Sequence, residues 1–121
     1  MVLVDTCIWV VHLREGHDRL ARLLDEGVVC CHSFVIGELA CGNLKNRKEI
    51  LSLLRELPSA EVADHEEILT FLDNHQLMGK GLAYVDVHLL GSAVLSGMTL
   101  WTADHRLAQV AADLGVSYSL F

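Results

Sequence analysis

Short apolar segments alternate along this chain with longer stretches whose apolar residues recur at helical spacing. The segments at 2–4, 28–31, 99–101 and 116–120 have the length and composition of strands, and 61–63 is a shorter candidate. Because parallel strands are joined by helices that cover the sheet, this alternation predicts an α/β fold. We expect a parallel β-sheet of about four to five strands flanked by helices on both faces.

The stretches between these segments are predicted to be helices. Asp18, Ser33 and Asp64 are expected to cap three of them, since short polar side chains satisfy free backbone N–H groups. The helix predicted at 84–96 is apolar almost all round and should lie centrally. Two further helices have apolar residues expected to face inward, namely Ile50, Leu51, Leu53 and Leu54 in one and Ile68, Leu69, Phe71 and Leu72 in the other.

Length and composition indicate a single folded domain over residues 1–121, because 52% hydrophobic residues argue against disorder. The apolar start carries Asp5 and has no basic region, so it is a poor signal peptide. No stretch is long and uncharged enough to span a membrane, and we expect a cytoplasmic location. The four cysteines form no C-x-x-C pair and are expected to be reduced, packed thiols.

Four acidic residues stand in otherwise apolar surroundings: Asp5, Glu38, Asp86 and Asp104. Ionised carboxylates are seldom buried without a partner. In open parallel sheets the binding crevice lies at the carboxyl ends of the strands, and Asp5 and Asp104 each follow a predicted strand. All four acids can therefore face one crevice, where a cation would be their partner.

Converging carboxylates need a counter-charge, since two unit charges ~4 Å apart repel by roughly 4 kcal/mol at an effective dielectric of about 20. Hard divalent ions such as Mg²⁺ or Mn²⁺ accept carboxylate oxygens and water as ligands. They activate water and offset charge on a leaving oxygen. The acids therefore favour a metal-dependent enzyme that hydrolyses phosphodiesters.

The formal net charge of −7 counts against a nucleic-acid partner, because proteins that bind nucleic acid are usually basic. Bound metal would neutralise part of that charge. The basic residues are also unevenly spread, with one group at Arg14, Arg19 and Arg22 and another at Lys45, Arg47, Lys48 and Arg55.

Four stretches, in this order and spacing, resemble the motifs of a known family over nearly the whole chain. They are VLVDTCIW at 2–9, FVIGELACGNL at 34–44, VDVHLLGSA at 85–93 and LWTADHRL at 100–107. With them the chain is similar to PIN-domain ribonucleases, and among these to VapC-type toxins of toxin–antitoxin pairs.

This resemblance implies an α/β sandwich that binds Mg²⁺ or Mn²⁺, cleaves RNA, is inhibited by a small antitoxin protein and forms a homodimer. By position, the family's catalytic and metal-binding acids match Asp5, Glu38, Asp86 and Asp104. Hydroxyl positions that orient carboxylates or water match Thr6 and Thr102. Two positions depart from the family pattern: Cys7 replaces a small polar residue, and His105 stands where a basic residue is common.

Each acid also has a structural interpretation. Asp5, Asp86 and Asp104 stand where helix N-caps are expected, and Glu38 has the position of an ordinary exposed helix residue. Four acids at family spacing nevertheless favour one shared site over four coincidences.

Contacts to substrate or partner are less specific. His88 and His105 follow acids of the quartet closely, so each is a candidate for touching RNA or the outer metal shell. Arg14, Lys45 and Arg47 are candidates for contacting phosphate or an antitoxin, although such groups are often solvated helix faces.

The leading hypothesis is thus an endoribonuclease toxin. One alternative is a housekeeping nuclease that processes precursor RNA. Another is a binding module that docks an antitoxin without significant cleavage.

Overall fold

The computed structural model describes residues 1–119. The three strands are separated by helices, but the predicted alternation is incomplete, because four helices follow one another between the second and third strands. In chain order the elements are β1 (Val2–Val4), α1 (Thr6–Glu15), α2 (Asp18–Asp25), β2 (Val29–Cys30), α3 (Ser33–Cys41), α4 (Arg47–Glu56), α5 (His65–His75), α6 (Tyr84–Ser96), β3 (Thr99–Trp101) and α7 (His105–Asp113).

The three strands form one parallel sheet in the order β2-β1-β3. Residues 2–4 of the central strand β1 are all buried, as expected for a strand covered on both faces. The sheet also positions Asp5, which directly follows β1. The backbone N–H of Asp5 donates to the carbonyl of Trp101 in β3 at 2.9 Å. The α/β prediction with a helix-flanked parallel sheet is confirmed, although the sheet has three strands within residues 1–119 where about four to five were predicted.

The sheet is widened at each edge by a single bridged residue. Ser59 pairs with Cys31 beside β2, and Ser117 pairs with Leu100 of β3. The predicted strand at 61–63 is wrong, since pairing on that side occurs at Ser59. The strand predicted at 116–120 is reduced to the Ser117 bridge, and its last residue, 120, lies outside the described range.

Helix α6 lies centrally, as predicted. Its residues 87–93 are all buried, and Leu89 and Leu90 are completely inaccessible. The far end of the helix is different, because Leu95 is 64% exposed. Within residues 1–119, no helix combines the length and apolar character needed to cross a membrane.

Two helices bury a narrower stripe than the sequence suggests. Leu53 of α4 is 53% exposed and Leu69 of α5 is 38% exposed, so their predicted inward positions are wrong. Leu51 and Leu54 fill the buried stripe of α4. Because α4 packs on one side only, Leu53, which lies between Leu51 and Leu54 in sequence, faces solvent.

Two of the three predicted N-caps are also wrong. The caps of α2 and α3 are His17 and His32, whose ring nitrogens accept backbone N–H groups, so Asp18 and Ser33 are already the first helical residues. Asp64 does cap α5, where it forms a reciprocal capping box with Glu67.

Candidate metal centre

The four predicted acids line a single cleft at the carboxyl end of the sheet. Its volume is about 520 Å³. Asp5 and Asp104 reach it from positions just after β1 and β3, whereas Glu38 and Asp86 project from α3 and α6. The complete lining consists of Asp5, Thr6, Cys7, Glu38, Asp86, Ala103 and Asp104. The tertiary structure therefore brings together acids from four separate parts of the sequence.

Asp5 is the most firmly held of the acids. It is only 8% exposed, and its Oδ1 accepts the backbone N–H of Thr6 at 2.7 Å. The Thr102 hydroxyl donates to Oδ2 at 2.7 Å, and the Cys7 thiol donates to the same oxygen at 3.6 Å. Asp5 is thus both the N-cap of α1 and a wall of the cleft, so its structural and functional interpretations coexist.

Asp104 likewise is the N-cap of a helix, α7, and lines the cleft. Its Oδ1 accepts the backbone N–H groups of Arg106 at 2.9 Å and Leu107 at 3.1 Å. Its own backbone N–H donates to the Thr102 hydroxyl at 3.1 Å. Thr102 therefore links Asp104 to Asp5, which gives this predicted supporting residue a defined place in the site.

Asp86 is half-buried, and its Oδ2 accepts the backbone N–H of Ala83 at 2.9 Å. Burial raises the pKa of Asp86 above its ordinary value, and the hydrogen bond from Ala83 partly offsets this. The negative charges of three neighbours raise the pKa further, those of Asp5, Asp104 and Glu38. The other three carboxylates are thus near enough to Asp86 to disfavour its charge.

Glu38 is exposed and is held by one hydrogen bond. Its Oε1 accepts the Thr6 hydroxyl at 2.6 Å. This bond ties the middle of α3 to the first turn of α1. Thr6, predicted as a supporting residue, thus orients Glu38, whereas Thr102 orients Asp5.

As the side chains stand, no three His, Cys, Asp or Glu residues within 1–119 form a group able to hold a metal ion. One oxygen of each of Asp5, Asp86 and Asp104 accepts a backbone N–H at the start of a helix. Within the described residues, the second carboxylate oxygens of Glu38, Asp86 and Asp104 accept no hydrogen bond. The donor set is carboxylate oxygen without a lining Lys, Arg or His, which fits a hard divalent cation.

Cys7 is a cleft residue whose structural role the sequence does not reveal. Its sulfur accepts the backbone N–H of Ala103 at 3.4 Å, in addition to its contact with Asp5. Burial raises its pKa, so the side chain stays a neutral thiol at neutral pH. All four cysteines are free, as predicted, but Cys41 is exposed rather than packed.

Two of the predicted contact residues, Arg14 and Lys45, line a groove of about 590 Å³ beside the cleft. The groove shares Thr6 and Glu38 with the cleft. Arg47 lies nearby but donates to the backbone carbonyl of Ala40 at 2.9 Å, which fixes the start of α4. Arg14 and Lys45 are therefore better placed than Arg47 to meet a molecule in the groove.

The two predicted histidine contacts have different surroundings. His105 is exposed next to Asp104. His88 is only 2% exposed and packs edge-on against the rings of Phe34 and Tyr84, at centroid distances of 4.5 and 4.6 Å. Burial lowers its pKa, so the ring is neutral at neutral pH. The buried ring offers almost no surface to RNA, so the structure does not support this predicted contact.

Comparison with known proteins agrees with this architecture. Residues 2–113 match the PIN domain. Ribonuclease VapC32 from Mycobacterium tuberculosis, in the sequences of strains H37Rv and CDC 1551, is 44% identical over 118 residues. The alignment covers 97% of this chain and 95% of each relative. The chain therefore belongs to the PIN-domain family and, within it, to the VapC-type ribonucleases.

Proposed function

We propose that this chain is a metal-dependent endoribonuclease that hydrolyses RNA phosphodiester bonds and acts as the toxin of a toxin–antitoxin pair. The observation that carries the proposal is the convergence of four carboxylates on one cleft without a lining cation. The relative named as a ribonuclease, aligned along 97% of the chain, supports RNA as the substrate.

The residues that would hold the ion are Asp5, Glu38, Asp86 and Asp104, with Mg²⁺ or Mn²⁺ as the proposed cofactor. When bound, such an ion lowers the pKa of water and offsets charge on the leaving oxygen of a phosphodiester. Burial and then the charges of three acidic neighbours raise the pKa of Asp86, and a cation would offset the contribution of those charges.

The chain's own residues prepare the cleft in a defined way. Thr102 and Cys7 both donate to one oxygen of Asp5, which fixes the direction in which that carboxylate points. Thr6 does the same for Glu38. Such outer partners orient metal-binding carboxylates, and we assign Thr6 and Thr102 this supporting role.

A small antitoxin protein is the proposed partner, and the groove beside the cleft is its proposed docking site. The groove combines the cations Arg14 and Lys45 with an apolar lining of Val10, Leu13, Leu39, Leu44 and Ile50. Apolar surface rimmed by charge suits a peptide chain. A segment seated there would also cover Thr6 and Glu38.

A homodimer and a cytoplasmic location stay predictions. Light scattering after size-exclusion chromatography would test the first, and fractionation of expressing cells would test the second. Both follow from the family resemblance or the sequence alone, and neither is needed for the cleft to be complete.

The test of the proposed function is cleavage of a labelled structured RNA by the purified protein with Mg²⁺ or Mn²⁺. We expect EDTA to stop cleavage, Asp5→Asn to abolish it and Asp73→Asn, an exposed acid on α5, to leave it unchanged. Cleavage by Asp5→Asn at the wild-type rate would refute the site. Growth arrest on expression, relieved by a neighbouring small gene, would distinguish the toxin from a housekeeping nuclease.

A further inference from the structure

Two cations that are far apart in sequence, Lys80 and Arg106, lie on the same stretch of surface. Together with His105 they line a cavity of about 380 Å³. Both cations lie outside the two basic groups visible in the sequence. Only the packing of α7 against the loop before α6 brings them together.

The side chain of Arg106 lies directly on the backbone of Gly81. A Cβ atom at residue 81 would stand 2.6 Å from Nη1 and 2.9 Å from Cδ of Arg106. Gly81 also has a φ of +76°, a conformation that favours glycine. The absence of a side chain at Gly81 thus leaves room for the Arg106 guanidinium beside the backbone that follows Lys80.

Neither cation is neutralised within residues 1–119, where no carboxylate forms an ion pair with Lys80 or Arg106. The one acid that lines the cavity is Asp113, and its carboxylate accepts a hydrogen bond from Gln109 at 3.0 Å. Lys80 and Arg106 outnumber Asp113 in the lining, so the cavity is a local positive site on a chain with a net charge of −7.

This positive site adjoins the acidic cleft along the chain, although no residue lines both. Arg106 lies two residues after Asp104, and its backbone N–H bonds the Asp104 carboxylate. On the other side, the loop that carries Lys80 leads to Ala83, whose N–H bonds Asp86. A strand lying across the cleft would therefore reach the two cations with its next nucleotides.

We propose that Lys80 and Arg106 bind a backbone phosphate of the RNA strand next to the bond held in the acidic cleft. This inference rests on the proposed function. A guanidinium and an ammonium suit a phosphate, since the guanidinium offers a fork of donors and the ammonium a point charge. The groove with Arg14 and Lys45 has an apolar lining, which suits a protein partner better than a phosphate chain.

The test measures cleavage of a fluorescein-labelled single-stranded RNA of mixed sequence by Lys80→Ala and Arg106→Ala over a range of salt concentrations. Arg22→Ala is the matched control, because it removes an exposed arginine from α2, away from the cleft and the cavity. Arg106→Lys is included because it keeps the charge and loses the fork.

We expect KM to rise about tenfold for each alanine variant, with kcat unchanged, as for the loss of one charged hydrogen bond. The slope of log affinity against log salt should fall by about 0.7 per cation removed. Arg106→Lys should restore most of that slope.

KM values and salt slopes equal to those of Arg22→Ala, in a wild-type enzyme that does cleave, would overturn this inference and leave the proposed function standing. A loss of kcat with unchanged KM would overturn it as well. Wild-type protein that cleaves no RNA with either metal would instead overturn the proposed function.

Discussion

Asp5 and Asp104, the strand-end acids, are held far more firmly than Glu38 and Asp86, the helix acids. The Asp5 carboxylate accepts three hydrogen bonds and that of Asp104 accepts two. Glu38 and Asp86 accept one each. The carboxyl end of the sheet thus presents carboxylates held by several hydrogen bonds, whereas the helices supply acids held by one each.

The largest expected difference between the two pairs concerns catalysis. Asp5→Asn should lower the cleavage rate by about a thousandfold, the order seen when one preorganised charge-stabilising group is removed. Glu38→Gln should lower it by about ten- to a hundredfold, because an exposed acid with one hydrogen bond is easier to replace by water. Cleavage kinetics with Mn²⁺ would measure both, with Glu56→Gln on α4 as control. Equal losses would remove the distinction between the pairs.

Asp104 allows its capping role to be separated from its role in the cleft. Asp104→Ser keeps an N-cap for α7 but removes the carboxylate, so we expect folding stability close to wild type and loss of cleavage. Asp104→Ala should lose cleavage too and also about 1 kcal/mol of stability. Urea unfolding of both variants beside the cleavage assay tests this. An active Asp104→Ser variant would show that the residue is a cap alone.

Removing the hydroxyls of Thr102 and Thr6, which orient Asp5 and Glu38, should change activity less than removing the acids themselves. Thr102→Val removes the donor to Asp5 and the acceptor for the Asp104 backbone, and we expect about a tenfold loss of activity. Thr6→Val frees only the exposed Glu38, so its effect should be smaller. Thr102→Ser and Thr6→Ser should restore activity, since the hydroxyl is kept. Failure of this rescue would point to lost packing instead.

The smallest expected effect is that of Asp86 on the folding stability of the metal-free protein. Because the pKa of Asp86 is raised on folding, the folded chain holds that proton more tightly than the unfolded chain does. The resulting stabilisation is fully present below the unfolded pKa of about 3.8 and is lost as pH rises through the folded pKa.

Asp86→Asn should therefore raise the Tm of the metal-free protein at neutral pH, where the wild-type residue carries its unfavourable charge. The same substitution should reduce the rise in Tm that Mn²⁺ causes in wild type, because a ligand that binds the folded state stabilises it. Thermal scans with EDTA and with Mn²⁺ measure both effects. A lower Tm with EDTA would contradict a raised pKa of Asp86 in the folded chain.

The sequence predicts the positions of the helices better than the strands at the two sides of the sheet. The predicted bounds of α6 and β3 agree with the structure residue for residue, because both are bounded by clear signals such as Gly97. The outer strands were misjudged, since each edge pairs through one residue, Ser59 or Ser117, and one bridge leaves no periodic pattern.

The sequence also could not show what surrounds each side chain. His88 lies two residues after Asp86 and was expected near RNA, but this turn of α6 points it between Phe34 and Tyr84. Cys41 and Leu53 were expected inside and lie outside. The sequence shows which side chains are apolar or titratable. Whether each one is buried depends on the helices and strands that pack around it.

The amino-acid sequence alone determined the alternation of strands and helices, the family motifs and the identity of the four acids, because these depend on residue type and spacing along one chain. Only the tertiary structure decided that Thr102 joins Asp5 to Asp104, and that Lys80 and Arg106 line one cavity with the Arg106 side chain against Gly81. Such contacts link residues far apart in sequence, so they exist only once the sheet and its helices have packed.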